Sequence, residues 1–170
     1  MKLPLIVSIV CAGLVVAGSV QSKEIKINQR YTGVSHPTMV DTNGDGVFAD
    51  AVNFEMVGNP GRATMVGVTE STPLTPGDSP CDLQGEPVQQ SYVQTYRDGS
   101  MLFLVTTAGF ACLNLSTYEL WGGISGVITG GIGRFELATG AWSAEIDTSF
   151  VGQTQIAFWG TFKGTVEIPD

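Results

Sequence analysis

Strict alternation between residues 142 and 150 constrains the fold of this chain more than any other feature. One face would carry Trp142, Ala144, Ile146, Thr148 and Phe150, and the other Ser143, Glu145, Asp147 and Ser149. A period of two is typical of a β-strand with one buried face. Seven glycines precede and flank this strand between residues 122 and 140. Because glycine permits sharp bending and close approach, that segment is predicted to be the closing turn of a curved sheet.

Period-two runs recur along the chain and predict an all-β fold. A first strand is expected at 24–33, and the last at 155–169, where Ile156, Phe158, Phe162, Val166 and Ile168 share a face. Two hairpins are predicted, around Asn59-Pro60-Gly61 and around Asp98-Gly99. Only residues 102–111 are ambiguous between strand and helix. With its many glycines, the chain is predicted to form a single antiparallel β-barrel of eight strands, possibly nine, rather than a sandwich.

The N-terminus has the composition of a secretory signal peptide. Lys2 precedes an apolar run from Leu3 to Ala17, which is shorter than the ~20 residues that span a bilayer. Cleavage after Ser22 would leave residues 23–170 as one barrel domain, exported to the extracellular space or periplasm. Loss of Lys2 changes the net charge from −8 to −9, which argues against nucleic acid and anionic membranes as partners. No membrane span is expected in the mature chain, and an oligomer remains open.

The cysteines predict a disulfide. Of the three in the chain, Cys11 falls in the signal peptide, which leaves Cys81 and Cys112 for an oxidising compartment. Two thiols alone make a poor metal site. The bond would fix the proline-rich segment 72–90, which holds four of the eight prolines, to the body of the protein.

The segment from Asp41 to Asp50 is the one place where a cofactor is indicated. Asp41, Asn43 and Asp45 place oxygen ligands at alternate positions with glycines between them, as calcium-binding loops do, and Asp50 offers a further carboxylate. Val52 stands at the twelfth position, where a helix-flanked calcium site needs an acid. The alternative is a simple Asx and glycine turn that binds no ion. The expectation is therefore no cofactor, with weak calcium binding as a possibility.

Catalytic patterns are sparse. The only histidine, His36, precedes a proline and has no nucleophile pattern to serve. Glu55 and Glu70 lie in the two strands of one predicted hairpin, where they would form an acid/base pair or two solvent-facing carboxylates. The glycines at 130, 131 and 133 lack the Gly-Lys-Ser/Thr of a phosphate-binding loop.

A short motif carries a family resemblance. The segment Thr129-Gly-Gly-Ile-Gly-Arg-Phe-Glu136 resembles the TGGxGxFE segment of plant allene oxide cyclases and of secreted proteins with the same barrel, which is similar to that of dirigent proteins. The resemblance implies an allene-oxide-cyclase-like barrel with an internal cavity. In those cyclases the first strand supplies a glutamate and an asparagine. Here Lys26 takes the place of the glutamate and Asn28 that of the asparagine, so the missing carboxylate argues against cyclase activity.

Three function classes follow from these observations. The first is a secreted barrel that binds a small apolar molecule, and the second is a cyclase or isomerase that confines an apolar substrate in the same cavity. The third is a calcium-dependent or protein-interaction module. The residues predicted to face a ligand are Asn28, Glu55, Tyr92, Tyr96, Trp142, Phe158 and Phe162. The alternative for the aromatic residues is an ordinary packed core.

Overall fold

The computed structural model describes residues 22–42, 44–151 and 155–169, and within them the chain forms an antiparallel β-barrel. Ten strands occur in this part of the chain, with one turn of 3₁₀ helix at Gly133–Phe135. The strands are β1 (Ser22–Pro37), β2 (Asp50–Asn59), β3 (Ala63–Ser71), β4 (Thr75–Pro76), β5 (Leu83–Gly85), β6 (Pro87–Tyr96), β7 (Met101–Asn114), β8 (Glu119–Ile132), β9 (Thr139–Val151) and β10 (Gln155–Pro169). The predicted signal peptide lies outside the described residues, apart from Ser22 at its end.

Eight of these strands close the barrel. Their order is β7-β6-β3-β2-β1-β10-β9-β8, and pairing of β7 with β8 completes the circle. Every pairing is antiparallel, and most connect strands adjacent in sequence; β1 with β10 joins the two ends of the chain. The predicted eight-stranded barrel is confirmed, and so are both hairpins, because β2 and β3 flank Asn59-Pro60-Gly61 and β6 and β7 flank Asp98-Gly99. The ambiguous run 102–111 is strand.

The glycine-rich segment was only partly predicted. Residues 122–132 form most of β8 rather than a turn, and the corner is confined to the short stretch between β8 and β9. Gly126 shows why a glycine is needed within the strand. A Cβ at this position would lie 2.0 Å from the Val105 carbonyl oxygen and 2.8 Å from the Trp142 ring. The glycines therefore allow β8 to curve closely against its neighbours instead of reversing the chain.

One half of the barrel interior is densely packed. At the end where β1 begins, Met56, Leu102, Phe135 and Val166 are fully buried. Two buried amides join across this half: Gln94 Nε2 donates to Gln29 Oε1 at 2.7 Å. Gln29 Nε2 in turn donates to the Gly61 carbonyl in the β2–β3 turn at 2.8 Å. This end of the barrel is thus filled by its own side chains.

The two short strands lie outside the barrel circle. β5 pairs with the end of β7 and β4 pairs with β5. The predicted disulfide is present: Cys81, in the segment between β4 and β5, is bonded to the buried Cys112 on β7, with a Cα–Cα distance of 5.3 Å. None of the described residues belongs to a helix with the length and hydropathy that crossing a bilayer requires.

Candidate functional site

The other half of the barrel interior holds a cavity of about 190 Å³. Its walls are the inward-facing residues of β1, β2, β3, β6, β8, β9 and β10. Around its mouth lie Ser71, Leu74, Pro87, Phe110 and Trp121. Leu74 belongs to the segment that the disulfide attaches to β7. The site is therefore bounded by packed amides at one end and by the proline-rich segment at the other.

Aromatic rings form much of the cavity wall. Trp142 stacks on Phe162 at 5.3 Å between centroids, and Tyr92 meets Trp142 edge to face at 5.9 Å. On the opposite side, the Phe54 ring lies 6.0 Å from that of Phe158. These contacts hold the rings in fixed orientations around the cavity.

Close backbone approach lets the rings lie near the wall. A Cβ on Gly67 would lie 2.4 Å from the Tyr92 ring, just as one on Gly126 would meet Trp142. Each ring occupies the volume that a side chain on the neighbouring strand would otherwise take. The cavity therefore depends on glycines that do not themselves present any group to a ligand.

The few polar groups in the cavity are already hydrogen-bonded. The Tyr31 hydroxyl donates to the Glu145 carbonyl at 2.8 Å, and the Tyr92 hydroxyl donates to Gln90 Oε1 at 2.8 Å. Burial raises the pKa of both hydroxyls above the ordinary value for tyrosine. Both therefore stay neutral at physiological pH, and neither acts as a phenolate base.

Among the described residues, Asp50 is the one carboxylate that lines the cavity. It is half-buried at the start of β2, near Ser35 and His36 on β1. Burial raises the pKa of its carboxyl, while a hydrogen bond with Ser35 and the charge of His36 act in the opposite direction. Among the predicted calcium ligands, Asp50 thus stands apart: it faces the barrel interior.

The predicted ligand-facing residues fall into two groups. Tyr92, Trp142, Phe158 and Phe162 line the cavity. Asn28, Glu55 and Tyr96 do not, which corrects the expectation for these three.

The three differ in where they lie. Asn28 and Glu55 are exposed on the outer face, because each has the opposite parity to buried neighbours such as Ile27 and Phe54. Tyr96 is buried in the packed half, with its ring 4.9 Å from that of Phe135. The predicted pairing of Glu55 with Glu70 also fails. Glu55 lies opposite Thr64 in the register, six residues along β3 from Glu70.

Tyr31 and Phe54 are cavity residues that sequence reasoning missed. Both share the parity of buried residues, Tyr31 with Ile27 on β1 and Phe54 with Val52 on β2. Parity alone would have found them, since side chains two or four residues apart on a strand face the same side.

The loop between β1 and β2 brings acidic groups together outside the barrel. Oxygen atoms of Asp41, Asp45 and Glu70 all lie within 4.8 Å of one another. Within the loop, Gly44 and Gly46 donate backbone hydrogen bonds to the Asp41 carboxylate at 2.6 and 2.9 Å, the geometry of an Asx-type turn. Asn43, a predicted ligand, lies outside the described residues. The third carboxylate of the cluster is Glu70 on β3, which the sequence pattern did not associate with this loop.

Comparison with known proteins agrees with the fold but gives no family. No family model and no curated protein sequence matches the chain. Among solved structures, the pterocarpan synthase dirigent protein PsPTS1 is similar, with a TM-score of 0.51 and 13% identity over 88% of this chain and 99% of that one. The pterocarpan synthase dirigent protein GePTS1 gives a TM-score of 0.49 and 12% identity over 88% and 87%. The chain has a dirigent-like barrel.

Proposed function

We propose that the protein binds a small, mostly apolar molecule inside the barrel. The observation that carries this proposal is the cavity of about 190 Å³, walled by aromatic and aliphatic side chains with few polar groups. A dry apolar cavity of roughly 150 Å³ is enough to bind benzene. The fitting ligand is therefore a single-ring compound with a short substituent. The likeness to PsPTS1 concerns the fold, and the proposal rests on the cavity.

The polar groups of the cavity define what else the ligand carries. Tyr31 and Tyr92 donate their protons to protein acceptors, so their oxygens offer lone pairs to a ligand. Asp50 adds an acceptor when ionised. A phenol or alcohol, with one hydroxyl donor on an apolar body, matches this set better than a charged ligand.

Binding is tested with 4-ethylphenol and ethylbenzene as probes, followed by isothermal calorimetry and by tryptophan fluorescence. Trp121 and Trp142 line the cavity, so occupancy should change their emission. Ile146→Trp fills the cavity from β9 and is expected to abolish binding. Val66→Trp, on the exposed outer face of β3, is the matched control and should bind as the wild type does. Equal binding by both variants, or none by the wild type, refutes the proposal.

An isomerase or cyclase is the second candidate, and the position of Asp50 favours it. A cavity carboxyl whose pKa is raised by burial can hold a proton to a higher pH than an exposed aspartate. Donated to the ring oxygen of styrene oxide, that proton would assist cleavage of the benzylic carbon–oxygen bond. A hydride shift to the resulting benzylic cation would then give the protonated aldehyde, which would return its proton to the Asp50 carboxylate. With styrene oxide as probe, wild type should accelerate ring opening, measured by gas chromatography, and Asp50→Asn should not. A wild-type rate equal to that in buffer rejects this function.

We further propose that the protein acts outside the cytoplasm. The Cys81–Cys112 disulfide supports an oxidising compartment, and the predicted signal peptide would direct export. Intact-mass measurement of protein recovered from the secreted fraction should give a chain beginning at Lys23. A full-length chain confined to the cytoplasm contradicts this.

A further inference from the structure

Glu70 is the most unusual carboxylate in the described chain. It lies on the outer face of β3, where Thr64 and Val66 are exposed, yet only 2% of its surface is accessible. The loop between β1 and β2 covers it: the Thr42 backbone N–H donates to Glu70 Oε2 at 2.9 Å, and the Thr42 hydroxyl donates to the same oxygen. A side chain that parity assigns to solvent is thus buried by a segment distant in sequence.

The second oxygen of Glu70 has no such compensation. Oε1 is buried and has no hydrogen-bond partner. None of the ion pairs among the described residues includes Glu70. Instead, its carboxylate lies within 4.8 Å of oxygens from Asp41 and Asp45. A buried carboxylate with an unpaired oxygen, beside two further carboxylates, is unfavourable unless a cation or a proton joins them.

We propose that Asp41, Asp45 and Glu70 bind one calcium ion. Oxygen donors alone, with no sulfur or imidazole in the cluster, are the ligands of hard cations. Calcium–oxygen distances of 2.3–2.6 Å allow ligands on opposite sides of the ion to lie roughly 4.6–5.2 Å apart. Oxygens that all lie within 4.8 Å of one another are therefore close enough for one calcium ion to contact all three. Magnesium demands near-ideal octahedral geometry and gives up its water reluctantly, so it suits a site shared by a loop and a strand less well.

Backbone hydrogen bonds hold the two aspartates of the cluster in the loop. Asp41 accepts bonds from Gly44 and Gly46, and Asp45 Oδ1 accepts one from Val47 at 2.8 Å. A carboxylate has about four lone-pair sites on its two oxygens, so accepting backbone N–H bonds is compatible with metal coordination. Three carboxylates are fewer than the six to eight ligands that calcium takes, and loop carbonyls and water would supply the rest.

The proposed site differs from one formed by the loop alone, because Glu70 on β3 joins Asp41 and Asp45 of the β1–β2 loop. Calcium would tie a loop of the chain to a barrel strand 28 residues away in sequence. The site does not require the internal cavity to be occupied, so it stands independently of the ligand-binding proposal.

The test uses calcium chloride and magnesium chloride with EDTA-treated protein, followed by calorimetry and thermal melting. At calcium tenfold above its Kd, the wild-type midpoint should rise by about 3–6 °C, and magnesium should have a smaller effect. Glu70→Gln should weaken calcium binding at least tenfold. Glu55→Gln, an exposed glutamate on the adjacent strand, is the matched control and should retain it.

Without calcium, Glu70→Gln should melt at or above the wild type, because the substitution removes a buried carboxylate that none of the described ion pairs includes, and its amide oxygen can still accept the bonds from Thr42. A purely structural glutamate, held only by Thr42, would give lower stability and no calcium response. Asp45→Asn, in the exposed loop, is a second variant that should also lose calcium binding. Calcium is tested up to about 10⁻² M, above the 10⁻⁴–10⁻³ M dissociation constants of weak extracellular sites. If the melting midpoint of the wild type does not change at that concentration, the proposal is overturned. It is also overturned if both variants bind calcium with the affinity of the wild type.

Discussion

Removing the disulfide should destabilise the whole barrel by an amount set by the loop that it closes. Cys81 and Cys112 are 31 residues apart. On the chain-entropy relation, closing such a loop restricts the unfolded chain by about 3.7 kcal/mol at 25 °C. For a domain of this size, that corresponds to a fall in the melting midpoint of roughly 7–15 °C. Alanine is the suitable replacement at both positions, because Cys112 is only 2% exposed and serine would bury a hydroxyl.

The assay compares urea unfolding of wild type, wild type with a reducing agent, and the Cys81→Ala/Cys112→Ala variant. Reduced wild type and the double variant should lose the same free energy of unfolding, and the reducing agent should not affect the variant. The alternative is that the segment holding β4 and β5 detaches alone, since neither strand belongs to the barrel circle. A loss below about 1 kcal/mol, well short of the chain-entropy value, would refute the reasoning.

Four further substitutions test the interior in three experiments. Asp50→Asn should stabilise the protein increasingly as pH rises. Because the folded pKa of Asp50 is raised, the unfolded chain loses its proton first, and the stability of the wild type falls as pH rises between the two pKa values. Parallel pH profiles of the melting midpoints of wild type and variant would contradict this. Gly126→Ala should cost about 1–3 kcal/mol in urea unfolding, because its Cβ meets Val105 and Trp142. Gln94→Met should cost about 1–3 kcal/mol by leaving Gln29 Oε1 without its donor, and adding Gln29→Met should recover part of that loss; strict additivity would disprove the coupling.

The sequence predicted those parts of the fold that depend on local patterns. Alternation in β9 and β10 correctly placed Trp142 and Phe162 inside, because neighbouring side chains on a strand face opposite sides whatever the strand packs against. The glycine run of β8 was misassigned because glycine has no side chain, so the run shows no alternation. The tendency of glycine to form turns was then the only signal left in the sequence. In the structure these glycines instead allow neighbouring strands to approach closely.

The candidate sites depended on contacts that no local pattern contains. Glu70 has an ordinary outward parity, and its burial arises from a loop 28 residues earlier in the chain. Asp50 was grouped with the calcium ligands because it is near them in sequence, yet β2 begins at that residue and turns it inward. Asn28 was assigned to a cavity through a family resemblance, whereas its own parity with respect to Ile27 already placed it outside.

The packed amides at one end of the barrel have a kinetic consequence. With Gln29 and Gln94 joined across the interior, we expect a molecule to enter and leave the cavity past Leu74 and Trp121 at the other end. Passage by that route alone would make the rim govern the transition state for both directions, while the interior governs the bound state. Leu74→Ala should therefore change the association and dissociation rates by the same factor and leave Kd nearly constant. The rim would then set how fast a ligand exchanges at a given affinity, while the interior residues would set the affinity itself.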